Sequence, residues 1–169
     1  MVETKTFSKN AEYKIFKPNP KFTGSVAQFN LSEKNDVFAL FAKQANEKDK
    51  NGNFKFNYDE KSVIKMKLDN IDLAYIIAVI ENRCDKINNG KGLFHQFEKN
   101  GITISKTLKF DKNDPKYGFG YFMSVFQKNG ENQINISCPI SVEEAILLRE
   151  FFKVAITCKF FDLENKKDA

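Results

Sequence analysis

The chain contains no tryptophan, one histidine (His95), two arginines (Arg83 and Arg149) and three cysteines. Each scarcity excludes something. A structural zinc site needs about four clustered thiolate or imidazole ligands. Cys84, Cys138 and Cys158 are widely spaced and form no C-x-x-C pair, so no metal is expected. They read as small, mostly buried thiols. No apolar run approaches the ~20 residues of a membrane span, and the start, Met1 to Lys5, lacks the charged-then-apolar form of a secretion signal. The expectation is a cytoplasmic protein (or a nucleoid or virus-encoded intracellular one) with no membrane partner.

The chemistry-bearing motifs are missing as well. There is no Gly-rich phosphate loop of the required spacing and no Gly-x-Ser-x-Gly elbow. Gly118-Phe119-Gly120 lies between strands with no following helix, so its dinucleotide reading is weak. No carboxylate cluster could hold Mg²⁺. Asp69, Asp72, Glu143 and Glu144 are explained as helix caps and first-turn charges, favoured by the helix dipole. His95, beside Phe94 and Phe97, reads as a structural or surface histidine. No catalytic residue and no cofactor are expected, and the protein is expected not to be an enzyme.

What is present is a core and a basic surface. With 169 residues, 41% of them hydrophobic and 18 of them Phe, the chain can bury about two-thirds of its unfolded surface as one domain. Its net charge is +5, carried almost wholly by lysine. A basic balance points to an anionic partner, most often nucleic acid. It is a modest pointer here, because Lys, Asn, Ile and Phe all have AT-rich codons.

The strongest pattern is a duplication. Ser62 to Leu68 has strand character and leads into the apolar helical run Ile71 to Ile80; Ile134 to Pro139 leads likewise into Val142 to Phe152. Short strand-like segments precede each unit. In the first half these are Tyr13–Lys17, stopped by Pro18-Asn19-Pro20, then Phe22–Leu31, Val37–Gln44 and Phe54–Tyr58, with Asn46–Asn53 as an exposed hairpin loop. In the second half they are Leu93–Glu98, Ile102–Phe110, Gly118–Lys128 and Gln133–Cys138, with Asn100-Gly101 and Asn129-Gly130 as hairpin signals. Asp69 or Asn70 caps the first helix, which is expected to end near Asn82 or Lys86. Ser141-Val142-Glu143-Glu144 is a capping box opening a helix to about Phe161. The fold expected is α+β: a duplicated ββββα unit, with two antiparallel four-stranded sheets packed by two helices. The pseudo-repeats span about 13–88 and 93–161, and 1–11 and 162–169 are expected to be flexible tails.

Lysines interleaved with aromatics on these strands suggest the ligand. Single-stranded nucleic acid offers phosphates to the cations and base faces to the rings. The candidate contact residues are Lys14, Phe16, Lys17, Phe54, Lys55, Phe56, Lys65, Lys67, Lys106, Lys109, Phe122, Phe126 and Lys128. Along Gly118–Lys128, Phe119, Tyr121, Met123 and Val125 take one face and Phe122, Ser124, Phe126 and Lys128 the other. One of these faces must meet a second layer or stay open for a ligand.

The order of elements and several short motifs resemble the Whirly family, the fused, duplicated relative of the single-stranded-DNA-binding coactivator positive cofactor four. Cys138-Pro139-Ile140-Ser141-Val142-Glu143-Glu144 is similar to the family's Ile-Pro-Thr/Ser-Glu entry to the last helix. Phe119 to Asn129 resembles its Phe-x-x-Leu-Ser-Val-x-Asn strand, offset by one residue at the end. Tyr58-Asp59 and Lys61 match its Tyr-Asp-Trp-x-x-Lys segment without the tryptophan. The family's Lys-Gly-Lys-Ala-Ala-Leu segment has no copy here; Tyr13 to Lys17 is nearest in place. The resemblance, over residues 13–160, implies homo-oligomers (dimer or tetramer) with single strands along sheet edges. The expected function is non-enzymatic, largely sequence-independent binding of single-stranded DNA in replication, recombination or transcription. RNA binding, or a protein-interaction module using an apolar sheet face, is the alternative.

Overall fold

The computed structural model describes residues 11–161. The tails expected at 1–11 and 162–169 lie, Ala11 apart, outside the described residues. The described residues form nine strands and two α-helices: β1 Glu12–Lys17, β2 Ser25–Leu31, β3 Val37–Lys48, β4 Phe54–Phe56, β5 Ile64–Leu68, α1 Asn70–Ile80, β6 Leu93–Lys99, β7 Ile102–Lys112, β8 Tyr121–Asn129, β9 Asn132–Ile140 and α2 Val142–Phe160. Two antiparallel sheets result, each followed in sequence by its helix. The first has the order β1-β2-β3-β5, with β4 added along the far half of β3; the second is β6-β7-β8-β9. The fold is the duplicated sheet-then-helix unit that the sequence pattern implies.

Period-two alternation sets the faces. In β5, Ile64, Met66 and Leu68 are buried while Lys65 and Lys67 are exposed. In β8, Tyr121, Met123 and Val125 point inward and Phe122 and Phe126 outward. Phe119 is a correction to the expected face: it precedes β8 between Gly118 (φ 92°) and Gly120 (φ 130°) and is 94% exposed. A side chain at Gly120 would meet the Ile140 carbonyl, so the strand can start only after that glycine.

The helices close one continuous core between the sheets. α2 buries Ala145, Leu148, Phe152 and Ala155, a spacing that keeps one stripe inward. Phe152 meets Phe29 edge-on at 5.3 Å, and Phe29 in turn meets Phe41 at 6.2 Å. Each such fully buried ring contributes on the order of 1.5–3 kcal/mol. Both helices open on a capping box: Asp69 with Asp72 in α1, and Ser141 with Glu144 in α2. The Asp69 pair uses two carboxylates where the usual box has a hydroxyl and a Glu.

Several boundaries differ from the sequence expectation, among them that of β2, which starts at Ser25 and leaves Phe22 in the preceding turn. β3 continues to Lys48, so the exposed loop shrinks to the turn at 49–53, where Asp49 accepts hydrogen bonds from the Asn51 and Asn53 amides at 2.8 Å each. α1 ends at Ile80 with Glu81 as its C-cap, and Asn82 takes the left-handed conformation (φ 58°) that breaks it.

Candidate nucleic-acid interface

The site is built where the turn before β2 and the ends of β3 and β4 in the first sheet face the β9 edge of the second. Pro18 and Pro20 stop β1, and the chain turns through residues 18–24 before β2. The buried Gln44 side chain pins that turn. Its Oε1 accepts from the Asn19 amide at 2.9 Å and the Gly24 amide at 3.1 Å, and its Nε2 donates to the Asn19 carbonyl at 3.0 Å. Any side chain at Gly24 would collide with the Lys17 carbonyl and with Gln44 itself. The turn forces Phe22 into the left-handed region, φ 56°. That conformation costs a bulky residue on the order of 1–3 kcal/mol.

Opposite this turn lies β9, the edge strand of the second sheet, so one of its sides is not paired in a ladder. Ser25 Oγ donates to the Ser137 carbonyl at 2.6 Å and holds that edge against the start of β2. Between them runs an open groove of about 1240 Å³, bounded by the 22–25 turn, the ends of β3 and β4, residues 57–62, and residues 133–137 of β9. A second groove of about 590 Å³ shares Lys43, Gln133, Ile134 and Asn135 with it, and continues onto the outer face of the second sheet at Ser105, Thr107, Phe126 and Lys128. The two form one trough along the β9 edge.

Its lining carries four lysines (Lys43, Lys55, Lys61 and Lys128) against two carboxylates, Glu47 and Asp59. Lys55 is paired with Glu47 at 2.9 Å; Lys43, Lys61 and Lys128 make no ion pair among the described residues. Phe22, Phe56, Tyr58 and Phe126 supply rings, and Asn57, Gln133 and Asn135 supply amides. Burial raises the Tyr58 hydroxyl above its ordinary pKa, so it stays a neutral donor.

Eleven of the thirteen residues singled out from sequence fall into four groups. Lys55, Phe56, Phe126 and Lys128 line the trough. Phe54 stands at its rim, with Phe22 edge-on at 5.8 Å and the Lys48 ammonium 4.6 Å from its ring centre. On the outer face of the first sheet are Lys14, Phe16, Lys65 and Lys67, where Phe16 packs on Phe56 at 5.5 Å, Lys14 pairs with Glu12 at 2.9 Å and Lys67 with Asp36 at 2.9 Å. Phe122 and Lys109 share the outer face of the second sheet with Phe126, outside the trough.

Lys17 and Lys106 point elsewhere. Lys17 shares the inward side of β1 with Ile15 and pairs with Glu144 of α2 at 2.6 Å. Lys106 sits on the inward side of β7, its ammonium bonded to the Lys65 carbonyl and 4.9 Å from the Phe97 ring centre. Burial, with Lys99 nearby, lowers its pKa. His95 has a structural partner: its Nε2 lies 2.9 Å from Oδ2 of Asp72, which also accepts from the Asp69 amide. Burial raises the Asp72 pKa.

The sequence reading missed Lys43, Lys61, Phe22, Tyr58, Gln133 and Asn135. Lys43 and Gln133 come from strands of different sheets, and only their docking brings them together. Tyr58 and Lys61 did carry a signal, since both fall in the segment resembling the Whirly Tyr-Asp-Trp-x-x-Lys motif.

No family model and no curated protein sequence matches the chain. Solved structures do. MRP1/MRP2 of Trypanosoma brucei superposes with a TM-score of 0.63 at 13% identity, covering 90% of this chain and 88% of that one. A guide-RNA-binding protein complex bound to a guide RNA gives 0.60 at 14%, covering 90% and 93%. WHY3 of Arabidopsis thaliana, a Whirly protein, gives 0.59 at 14%, covering 94% and 95%. The fold is Whirly-like. At such identities the likeness lies in element order and packing. In the Whirly-like frame of this chain, the trough runs between the 18–24 turn and the β9 edge. No group of His, Cys, Asp and Glu able to hold a metal occurs among the described residues, and no described helix is long and apolar enough to cross a membrane.

Proposed function

We propose that the protein is a non-enzymatic binder of single-stranded nucleic acid, DNA in preference to RNA, with little sequence preference, serving replication, recombination or transcription. The observation that carries this reading is the trough along the β9 edge, with its four lysines and flanking rings. It is an open groove with room for an unpaired strand. Lysines neutralise phosphates as point charges and read no sequence, while rings stack any base, at roughly 1–3 kcal/mol each. The structural neighbours support the class, since one is a guide-RNA-binding complex holding its guide RNA.

The test is a comparison of labelled oligo(dT), oligo(U) and a duplex of equal length by fluorescence anisotropy at low salt. The expected order is oligo(dT) first, oligo(U) next and duplex last. A stronger signal from oligo(U) would turn the reading to RNA, and no binding of either single strand would sink it.

A second reading concerns self-association, and it is favoured by apolar side chains left uncovered on the helices. Ile71 on α1 and Leu147 and Val154 on α2 are 65%, 57% and 56% exposed. We propose that a dimer or tetramer covers them. Light scattering of the wild type and Leu147→Glu should give a larger mass for the first than for the second. A monomeric wild type would contradict it.

A further inference from the structure

Six non-glycine residues take positive φ among the described residues; five are Asn (Asn35, Asn82, Asn88, Asn89 and Asn100) and the sixth is Phe22. Asn tolerates the left-handed region because its short amide bonds locally, whereas a bulky apolar side chain there is an outlier. The conformation is imposed by its surroundings. Asn19 Oδ1 accepts from the Lys21 and Thr23 amides at 3.1 Å each, the Asn19 carbonyl accepts from the Phe22 amide at 3.1 Å, and Gln44 fixes both ends of the turn. A Gly or Asn would satisfy the same turn without strain. The ring that is kept there is only partly buried, lines the larger groove, and rests edge-on against Phe54, over which the Lys48 ammonium lies.

We infer that Phe22 is a base-stacking platform at the mouth of the trough, held rigid by the 18–24 turn, taking an unpaired nucleobase whose phosphate is met by Lys48. This rests on the single-strand reading above and extends it to a residue outside the regular strands. A pre-ordered ring loses little side-chain freedom when a base settles on it, which is the advantage of holding it in place before binding. A ring serving only to pack on Phe54 would give up stability, and not affinity, when removed.

The test uses the absence of tryptophan. Phe22→Trp places the sole indole of the full chain at this position, and its emission is followed while a labelled oligo(dT) of about 12 nucleotides is bound and read in parallel by anisotropy. The expected result is quenching on saturation that reverses with added salt. In the second arm, Phe22→Gly should keep the wild-type circular dichroism spectrum and a Tm no lower than wild type, and bind about tenfold more weakly, the loss of one stacked base. Binding by Phe22→Trp with unmoved emission, or wild-type affinity in Phe22→Gly, overturns the inference while the function stands. A Phe22→Gly protein that loses its fold assigns the ring to packing and counts against it too. Failure of the wild type to bind any single strand removes the functional reading and this inference together.

Discussion

Lys17 Nζ lies 2.6 Å from Glu144 Oε2, joining the first strand of the chain to the opening turn of the last helix. The same carboxylate accepts from the Ser141 amide at 2.8 Å and completes the α2 capping box. Lys17→Met should therefore lower stability by about 1 kcal/mol, as for a partly buried pair. Glu144→Ala should cost more, since it removes the cap and leaves Lys17 unpaired. Urea denaturation measures both. Affinity for oligo(dT) should be unchanged in Lys17→Met, because that cation is already engaged within the fold; a marked loss would return Lys17 to the interface.

Asp36 holds two lysines, Lys159 of α2 and Lys67 of β5, at 2.8 and 2.9 Å. Hydrogen bonds from Lys159 and then Lys67 push its carboxyl below the usual range. A depressed carboxylate contributes stability that is present above its unfolded pKa and lost as pH falls through the folded one. Asp36→Asn should cost about 0.5–1 kcal/mol at neutral pH, modest because both ammoniums are largely exposed. The gap between variant and wild type should close in acid, below the ordinary carboxylate range. A gap independent of pH would contradict the ion-pair account.

Burial pushes the Cys138 thiol up to about 11, while Cys84 and Cys158 are only partly covered. Since the thiolate is the reactive form, an alkylating reagent at pH 8 should label Cys84 and Cys158 in the folded protein and reach Cys138 only after denaturant is added. Mass spectrometry of the labelled peptides reads this directly. Early labelling of Cys138 would show that the strand bearing it opens readily.

Lys43 and Lys128 belong to different sheets and meet only in the trough. Lys43→Glu and Lys128→Glu should each weaken oligo(dT) binding severalfold and flatten its salt dependence, with the fold intact. Phe126 and Phe122 separate the trough from the wider sheet face. Both are substantially exposed, at 39% and 44%, so alanine at either should leave the Tm nearly unchanged. Phe126→Ala should weaken binding about tenfold; Phe122→Ala should weaken it less, because only Phe126 lines the trough. A stronger effect from Phe122 would move the strand onto the outer face of the second sheet.

Most of the architecture was legible because its signals are local. Asn100-Gly101 is a two-residue turn with both residues at positive φ (53° and 74°), the geometry that such a pair favours. Ser141 and Glu144 cap α2 as their spacing implies. Less local features escaped. The charged segment after Gln44 read as loop, although Asn57, Phe56 and Phe54 give it partners that carry β3 to Lys48. Part of the interface was hidden for the same reason. Alternation places Phe56, Phe126 and Lys128 on open faces, but nothing short-range says that Lys17 will reach Glu144, 127 residues away, or that Lys106 will turn to the Lys65 carbonyl. The trough itself exists only once the β9 edge docks against β2.

The most direct test of the account is the salt dependence of oligo(dT) binding to the wild type, measured as log Kd against log salt from about 50 to 200 mM. Three to four lysines releasing counterions from a single strand predict a slope of magnitude about 2–3, at about 0.7 per phosphate neutralised, with duplex binding weaker throughout. A flat line, or a duplex bound as tightly as the single strand, would contradict a lysine-lined trough for an unpaired strand.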